Sequence, residues 1–387
     1  MIRSRRAGLA PFALLSASYF AHVGFFNPYL ALWLKDMGFG LVAISLLTAA
    51  QAATRVVGPY GWGWLSDRTG ERVKLLRYGA TASMLVGLGL FLDLPVAALF
   101  GVLLVMFIHT SFMMPMSEAA MAHRVTHKGQ LDVHRYGRVR LWGSWGFLVT
   151  VVAAGWWFER HGLSSFPAWT VGTLVLVAVS VWWMPDLKEQ AQAAHERLPI
   201  GPILRQAPVR WLFAAIFFHI FAHVLVYVFF SLYLDELGYS KTAIGLFWAV
   251  GVIVEIAWFY GQGRWSGRLS WPAWLVVASM LMVLRMVLTA GAAQWWWVLV
   301  LAQALHAVTF AAHHTACISL ISQHFSGRLR GRGQALFTVI GYGCTGVVGG
   351  SIGGLLSEHW GLSAVFWLST AAALVAVLCG WRVQRLQ

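Results

Sequence analysis

Between Ala243 and His324, three consecutive apolar stretches carry Glu255, Arg285, His306, His313 and His314. Ionisable side chains are expensive there. At bilayer depth each costs at least about 2.5 kcal/mol on insertion scales, so it turns toward a protein-lined cavity and has a partner or a task. A carboxylate takes up and releases a proton, a guanidinium grips an anion through parallel hydrogen bonds, and imidazoles relay or modulate either event. Glu255 falls near the middle of its stretch and Arg285 in the outer half of the next, a height difference of about 10 Å at the rise of a helix. Direct pairing therefore needs tilt or an intermediary, and His306 stands at the intermediate height. It belongs to a stripe of Gln303, His306, Phe310, His313 and His314. This set is the minimum for binding a proton and an anion and coupling the two; a static buried ion pair is the structural alternative.

The elements that must position these residues are helices in a bilayer. Of 387 residues, 59% are hydrophobic and 11% charged, and a spanning helix needs about 20 mostly apolar residues. Twelve such stretches run from Leu9 to Trp381. The expectation is an all-α polytopic membrane protein with twelve transmembrane helices in two six-helix bundles, residues 1–185 and 209–387, joined by a polar cytoplasmic linker, 186–208. The net charge of +14 would suggest nucleic acid in a soluble chain, but its placement among the loops accounts for it. With both termini cytoplasmic, 23 of the 28 Lys and Arg fall in cytoplasmic segments, against Lys35, Arg160 and Lys241 outside, as the positive-inside rule requires. Arg55 and Arg285 remain within the membrane. Arg3, Arg5 and Arg6 precede a stretch too long for a signal peptide, which reads as a retained first helix. Cys317, Cys344 and Cys379 lie in helices without metal-ligand spacing and read as small buried residues.

Other polar positions fall on helix faces. Tyr19, His22 and Phe26 share one face, with Asn27-Pro28 beside it. Proline breaks are tolerated in a membrane where other groups satisfy the freed carbonyl, so this face either lines a cavity or packs through His22. Thr48, Gln51 and Arg55 form the polar face of the second helix. Glu118, aligned with Ser111 and Pro115, reads as an inner-gate partner for a basic residue or as an interfacial carboxylate. His219, His223 and Tyr227 share a face of the seventh helix. Histidines at i and i+4 can chelate a metal, but no third ligand lies near, so cavity lining or packing is preferred. Gly346, Gly350 and Gly354 form a small-residue face for close packing.

Between the second and third helices runs Gly63-Trp64-Leu65-Ser66-Asp67-Arg68-Thr69-Gly70-Glu71-Arg72. Gly63 allows close approach, Asp67 can cap or pair at a helix end, and Gly70 turns the chain. This pattern resembles the signature of the major facilitator superfamily, and the resemblance implies that Gly63, Asp67, Arg68, Gly70 and Arg72 act in gating rather than in substrate binding. The run Tyr136-Gly137-Arg138-Val139-Arg140-Leu141-Trp142-Gly143-Ser144-Trp145-Gly146-Phe147 resembles the start of the fifth helix in the phenylpropionate permease group. That group is related to the nucleoside symporters and more remotely to lactose permease. The likeness extends over nearly the whole chain and includes Glu255, Arg285 and the positions of His306 and His314; in lactose permease a Glu, Arg and His on the same helices serve proton coupling. The fifth helix lacks the Gly-Pro motif of drug and proton antiporters, which argues against efflux. The second half keeps glycines and arginines in Gly263-Arg264-Trp265-Ser266-Gly267-Arg268 but loses the aspartate.

No nucleotide-binding loop, nucleophile elbow or metalloprotease motif occurs, and Gly143-Ser144-Trp145-Gly146 has the wrong spacing for a hydrolase. The expectation is a secondary transporter without a cofactor, a monomer whose partners are protons, a small-molecule substrate and the lipid bilayer, and not nucleic acid. A membrane enzyme or a ligand sensor are the alternatives. Two fixed cations, Arg55 and Arg285, face one titratable anion, Glu255; protonating Glu255 leaves an excess of positive charge that suits a carboxylate substrate. Tyr19, Phe26, Tyr227 and Phe310 suit a flat apolar body, so an aromatic monocarboxylate of the phenylpropionate type is expected, with a nucleoside or sugar as the uncharged alternative. His22, Asn27, Gln51, His223 and Gln303 complete the candidate substrate contacts.

Overall fold

The computed structural model describes the backbone of residues 9–127, 130, 131, 133–185 and 199–387. Twelve long helices occur among them. The first six are α1 (Ala10–Asp36), α2 (Leu41–Thr69), α3 (Arg72–Gly87), α4 (Val96–Met121), α5 (Arg138–His161) and α6 (Leu163–Trp182). The second six are α7 (Ala207–Glu236), α8 (Lys241–Arg268), α9 (Trp271–Ala292), α10 (Trp296–His324), α11 (Arg330–Trp360) and α12 (Leu362–Leu386). Ten of them are long and apolar enough to cross a membrane. The others are α1, diluted by His22 and Asn27, and α3, whose 16 α-helical residues continue into the tighter turn Leu88–Phe91. The one strand pairing described is a two-residue antiparallel ladder, Thr126–His127 with Gln130–Leu131. Most of the expected linker, residues 186–198, lies outside the described residues, as do Arg3, Arg5 and Arg6.

Contacts divide the chain into two compact units, Met1–Trp33 with Thr54–His195, and Leu34–Ala53 with Glu196–Gln387. In the first, Phe12, Leu15, Leu76, Phe112, Met113 and Val181 pack together; in the second, Leu212, Ile216, Leu275, Ala316, Leu320 and Phe325 do so. Lipid tails are as apolar as these side chains, so close van der Waals fit rather than water exclusion drives such contacts. Small residues make that fit: a Cβ on Gly146 would meet the Ala17 backbone, and one on Gly24 the Phe147 backbone.

Helix ends show a repeat that hydropathy hides. Leu34-Lys35-Asp36-Met37-Gly38-Phe39 ends α1 and Leu234-Asp235-Glu236-Leu237-Gly238-Tyr239 ends α7. Gly38 and Gly238 have φ of 87° and 83°, and each turn closes with the same two backbone bonds: Gly38 N–H to Lys35 and Phe39 N–H to Leu34, Gly238 N–H to Asp235 and Tyr239 N–H to Leu234. Left-handed glycine is the usual way to satisfy the last carbonyls of a helix. Gly162-Leu163-Ser164 and Gly361-Leu362-Ser363 repeat the same device after α5 and α11. A parallel internal repeat is therefore legible in the turns, even though the Asp67 signature has no clean copy.

Two helices are locally π-wound, α10 over Ala307–Ala312 and α11 over Thr338–Cys344. Such segments arise often at functional sites because they shift side-chain register. The same segment of α11 corrects one expectation: Cys317 and Cys379 are buried, but Cys344 is exposed. Beyond it, Gly346 lies against Ala52, Gly350 against Ser45 and Ala49, and Gly354 against Ser45 and Val42. A Cβ on Gly354 would run into Ser45 Oγ and come within 2.7 Å of Ser45 Cβ. Gly354→Ala is expected to destabilise the protein by about 1–3 kcal/mol, the usual cost of overpacking. Gly172→Ala, with nothing within 4 Å, is the control, and the thermal midpoint in detergent is the measurement; equal midpoints would refute the packing role.

Candidate functional site

The second unit assembles one polar network from four helices. From α9, Arg285, 3% exposed, donates from Nη2 to Gln303 Oε1 (2.6 Å) and from Nη1 to Thr309 Oγ1 (3.1 Å). The same Nη1 lies 3.1 Å from His306 Nδ1 and 3.4 Å from His223 Nε2. Gln303 in turn donates from Nε2 to the Phe247 carbonyl of α8 at 3.2 Å. On its other edge the His306 ring reaches Glu255: Nε2 to Oε2 is 3.4 Å. The imidazole thus stands between the carboxylate and the guanidinium. Arg285, Gln303, His306 and His223 are all buried, while the Glu255 side chain keeps 26% of its surface open. Glu255 is thus the most open member of the network.

A second tier lies one turn along. His219 donates from Nε2 to the Thr309 carbonyl at 2.7 Å, and its Nδ1 is 3.0 Å from Ser279 Oγ. His313 stacks on it, centroids 3.5 Å apart and 8° from parallel, with Cys317 Sγ 3.6 Å from His313 Nδ1. The single stripe expected along α10 is therefore two. His306, Phe310 and His314 stack as one column, while the π turn rotates His313 toward α7. Tyr227 stacks on Trp248 and lies beside His223. No group of three or more His, Cys, Asp or Glu suited to a metal occurs among the described residues.

The first unit places its candidates differently. Arg55 is exposed, and among the described residues no side-chain hydrogen bond or ion pair engages its guanidinium. The half-buried Tyr19 donates its hydroxyl toward the Thr110 carbonyl, 3.4 Å away. Glu118 itself pairs with Arg140 at 3.3 Å. His22 is buried, bonded through Nδ1 to Thr173 Oγ1 at 2.9 Å, with its ring 4.9 Å from Phe26; both are packed inside the unit. The helix α1 continues through Pro28 without a break, and Asn27 is half-buried, as is Gln51 of the second unit. In the signature, Gly70 ends α2 with φ of 69° and its N–H on the Ser66 carbonyl. Arg72 bonds Asp67 Oδ1 (3.3 Å) and Ser66 Oγ (3.2 Å), and Arg68 lies over Trp64. A Cβ on Gly63 would meet nothing.

Sequence reasoning did not single out Thr309, Ser279 or Trp248. Thr309 could have been found, since it sits three residues after His306 on the same face; Ser279 carries no such signal.

Against known proteins, the chain is 26% identical over 366 residues to a probable 3-phenylpropionic acid transporter of Escherichia coli, covering 93% of this chain and 94% of that one. It is 27% identical over 320 residues to a maltose permease of Geobacillus stearothermophilus, covering 82% and 79%. The fold matches the crystal structure of nucleoside transporter NupG with a TM-score of 0.80 at 15% identity, over 97% of this chain and 98% of that one. It also matches a POT family transporter in complex with 5-aminolevulinic acid, with a TM-score of 0.78 at 10% identity over 98% and 97%. At such identities the likeness is one of fold. Residues 14–368 match the model of the MFS_1 like family, and with that span the chain belongs to this family and is a multi-pass membrane transporter of the major facilitator type.

Proposed function

We propose that this transporter is a symporter that imports a small organic acid together with a proton, and that the acid is an aromatic monocarboxylate such as phenylpropionate. The observation that carries this reading is the partly open Glu255 carboxylate, joined to the buried Arg285 through His306. A carboxylate open on one side and held by a fixed imidazole on the other can exchange a proton while its counter-charge stays in place. Arg55, exposed in the first unit, is the cation assigned to the substrate carboxylate. The similarity to a probable 3-phenylpropionic acid transporter supports the substrate class.

The test is uptake into proteoliposomes, with and without an inward proton gradient. Uptake of 3-phenylpropionate should rise with the gradient, and 3-phenylpropionamide, maltose and nucleosides should compete poorly. Gradient-driven uptake of a nucleoside or sugar with no effect of the acid would replace the substrate reading. The membrane is taken to be the cell inner membrane, with both termini cytoplasmic. A reporter active only in the periplasm should stay inactive when fused after Gln387; activity there would overturn the orientation.

A further inference from the structure

His306 holds the position between the carboxylate and the guanidinium, and its two nitrogens face opposite kinds of neighbour. Nδ1 lies 3.1 Å from Arg285 Nη1. A guanidinium has donors and no acceptor, so that contact is a hydrogen bond only if Nδ1 is bare. Nε2 lies 3.4 Å from Glu255 Oε2, and an ionised carboxylate is acceptor-only. With Arg285 donating at Nδ1 and an ionised Glu255 at Nε2, the ring's single hydrogen belongs on Nε2. Which nitrogen of a histidine carries the proton is set by the bond that the other makes, and here the setting group is itself fixed. Arg285 is tied by Gln303 Oε1 at 2.6 Å and by Thr309 Oγ1 at 3.1 Å, and Gln303 is tied to the Phe247 carbonyl. A second proton on His306 would have to enter at Nδ1, beside a permanent cation that already donates there, and His223 Nε2, 3.3 Å away, would be its acceptor.

We propose that His306 is a positioning residue and does not carry the transported proton: a neutral imidazole locked with its hydrogen on Nε2, aimed at Glu255. This rests on Glu255 as the coupling carboxylate and assigns the neighbouring imidazole its role. The charged and titratable groups around the ring agree with it. From α7 come His223, whose Nε2 is 3.3 Å from Nδ1, and Tyr227; from α8, Glu255; from α9, Arg285; and His313 and His314 follow on α10 itself. Glu255 is the one anion of that group. It is met by a donor, while the acceptor nitrogen meets the cation, so the ring spaces the two charges without titrating. The ring also stands between Arg285 and Glu255, which share no direct ion pair among the described residues.

The experiment is nitrogen NMR on protein labelled with 15N-histidine in lipid nanodiscs, from about pH 5 to about pH 8. His306→Asn identifies the resonances by their loss. Expected are one protonated nitrogen, Nε2, and one bare nitrogen, Nδ1, across the whole range; an imidazolium signal or a bare Nε2 within it overturns the proposal. This readout needs no substrate, so it stands whether or not phenylpropionate is transported. A transport measurement separates the two readings further. Gln places an amide N–H near the position of Nε2–H but cannot carry a proton, so His306→Gln should still accumulate 3-phenylpropionate about tenfold per pH unit, as expected for one coupled proton. Loss of accumulation with counterflow retained in His306→Gln would make His306 a proton carrier and overturn the proposal. Normal accumulation in Glu255→Gln would instead remove Glu255 as the coupling group.

Discussion

Glu255→Gln protein in proteoliposomes is expected to exchange labelled for unlabelled 3-phenylpropionate yet fail to accumulate it against a gradient. The amide copies the protonated carboxyl in size and in its hydrogen-bonding oxygen, so the His306 Nε2–H keeps an acceptor and the Arg285 cluster is undisturbed. What disappears is the ability to release the proton. With one proton per substrate, an inward gradient of one pH unit supports up to about tenfold accumulation. The variant's ratio should fall to near one while counterflow continues at a rate set by the unaltered conformational steps. Normal accumulation would sink the assignment, and loss of counterflow as well would point to a structural role. The second outcome is separable by the thermal midpoint, because a buried network broken at Glu255 would also lower stability.

Most of what positions this site is legible in the sequence, because the bilayer leaves few options. Ionisable residues inside apolar stretches must face inward, so Glu255, Arg285 and His306 could be placed on three consecutive helices, and a height difference of about 10 Å already called for tilt or an intermediary. The family signature was equally legible, since Gly70 is needed for the left-handed turn that ends α2. The rest depends on register and on partners. Nothing in Ala307–Ala312 announces a π turn, and without it His313 reads as part of the Phe310 face instead of the partner of His219. Cys344 reads as a small buried residue, yet it is exposed at the end of the π-wound segment of α11. Likewise His22 is polar on a face of aromatics, and its burial follows from Thr173, 151 positions away.

The two arginines separate in the same way. From charge balance alone both suit a carboxylate, but in the structure Arg285 has its terminal nitrogens engaged by Gln303, Thr309 and His306, whereas Arg55 is exposed. Reassigning Arg285 to a ligand would leave buried acceptors without donors, at a cost of about 1–3 kcal/mol for each. Arg55 incurs no such loss. Binding of 3-phenylpropionate should therefore exceed that of 3-phenylpropionamide by at least about tenfold, or 1.4 kcal/mol, the expected difference for one charge-assisted pair. Arg55→Gln should abolish most of that preference by weakening the acid and leaving the amide unchanged. Arg285→Gln should act differently: transport falls because the cluster loses its organising donor, while the ratio of acid to amide binding survives. Equilibrium binding of both ligands to the three proteins in detergent measures each effect. If the amide binds wild-type protein as well as the acid does, or if neither substitution weakens the acid, the anion-binding reading fails. If the ratio collapses in Arg285→Gln and persists in Arg55→Gln, the carboxylate belongs to Arg285, and the closed cluster must then open on binding.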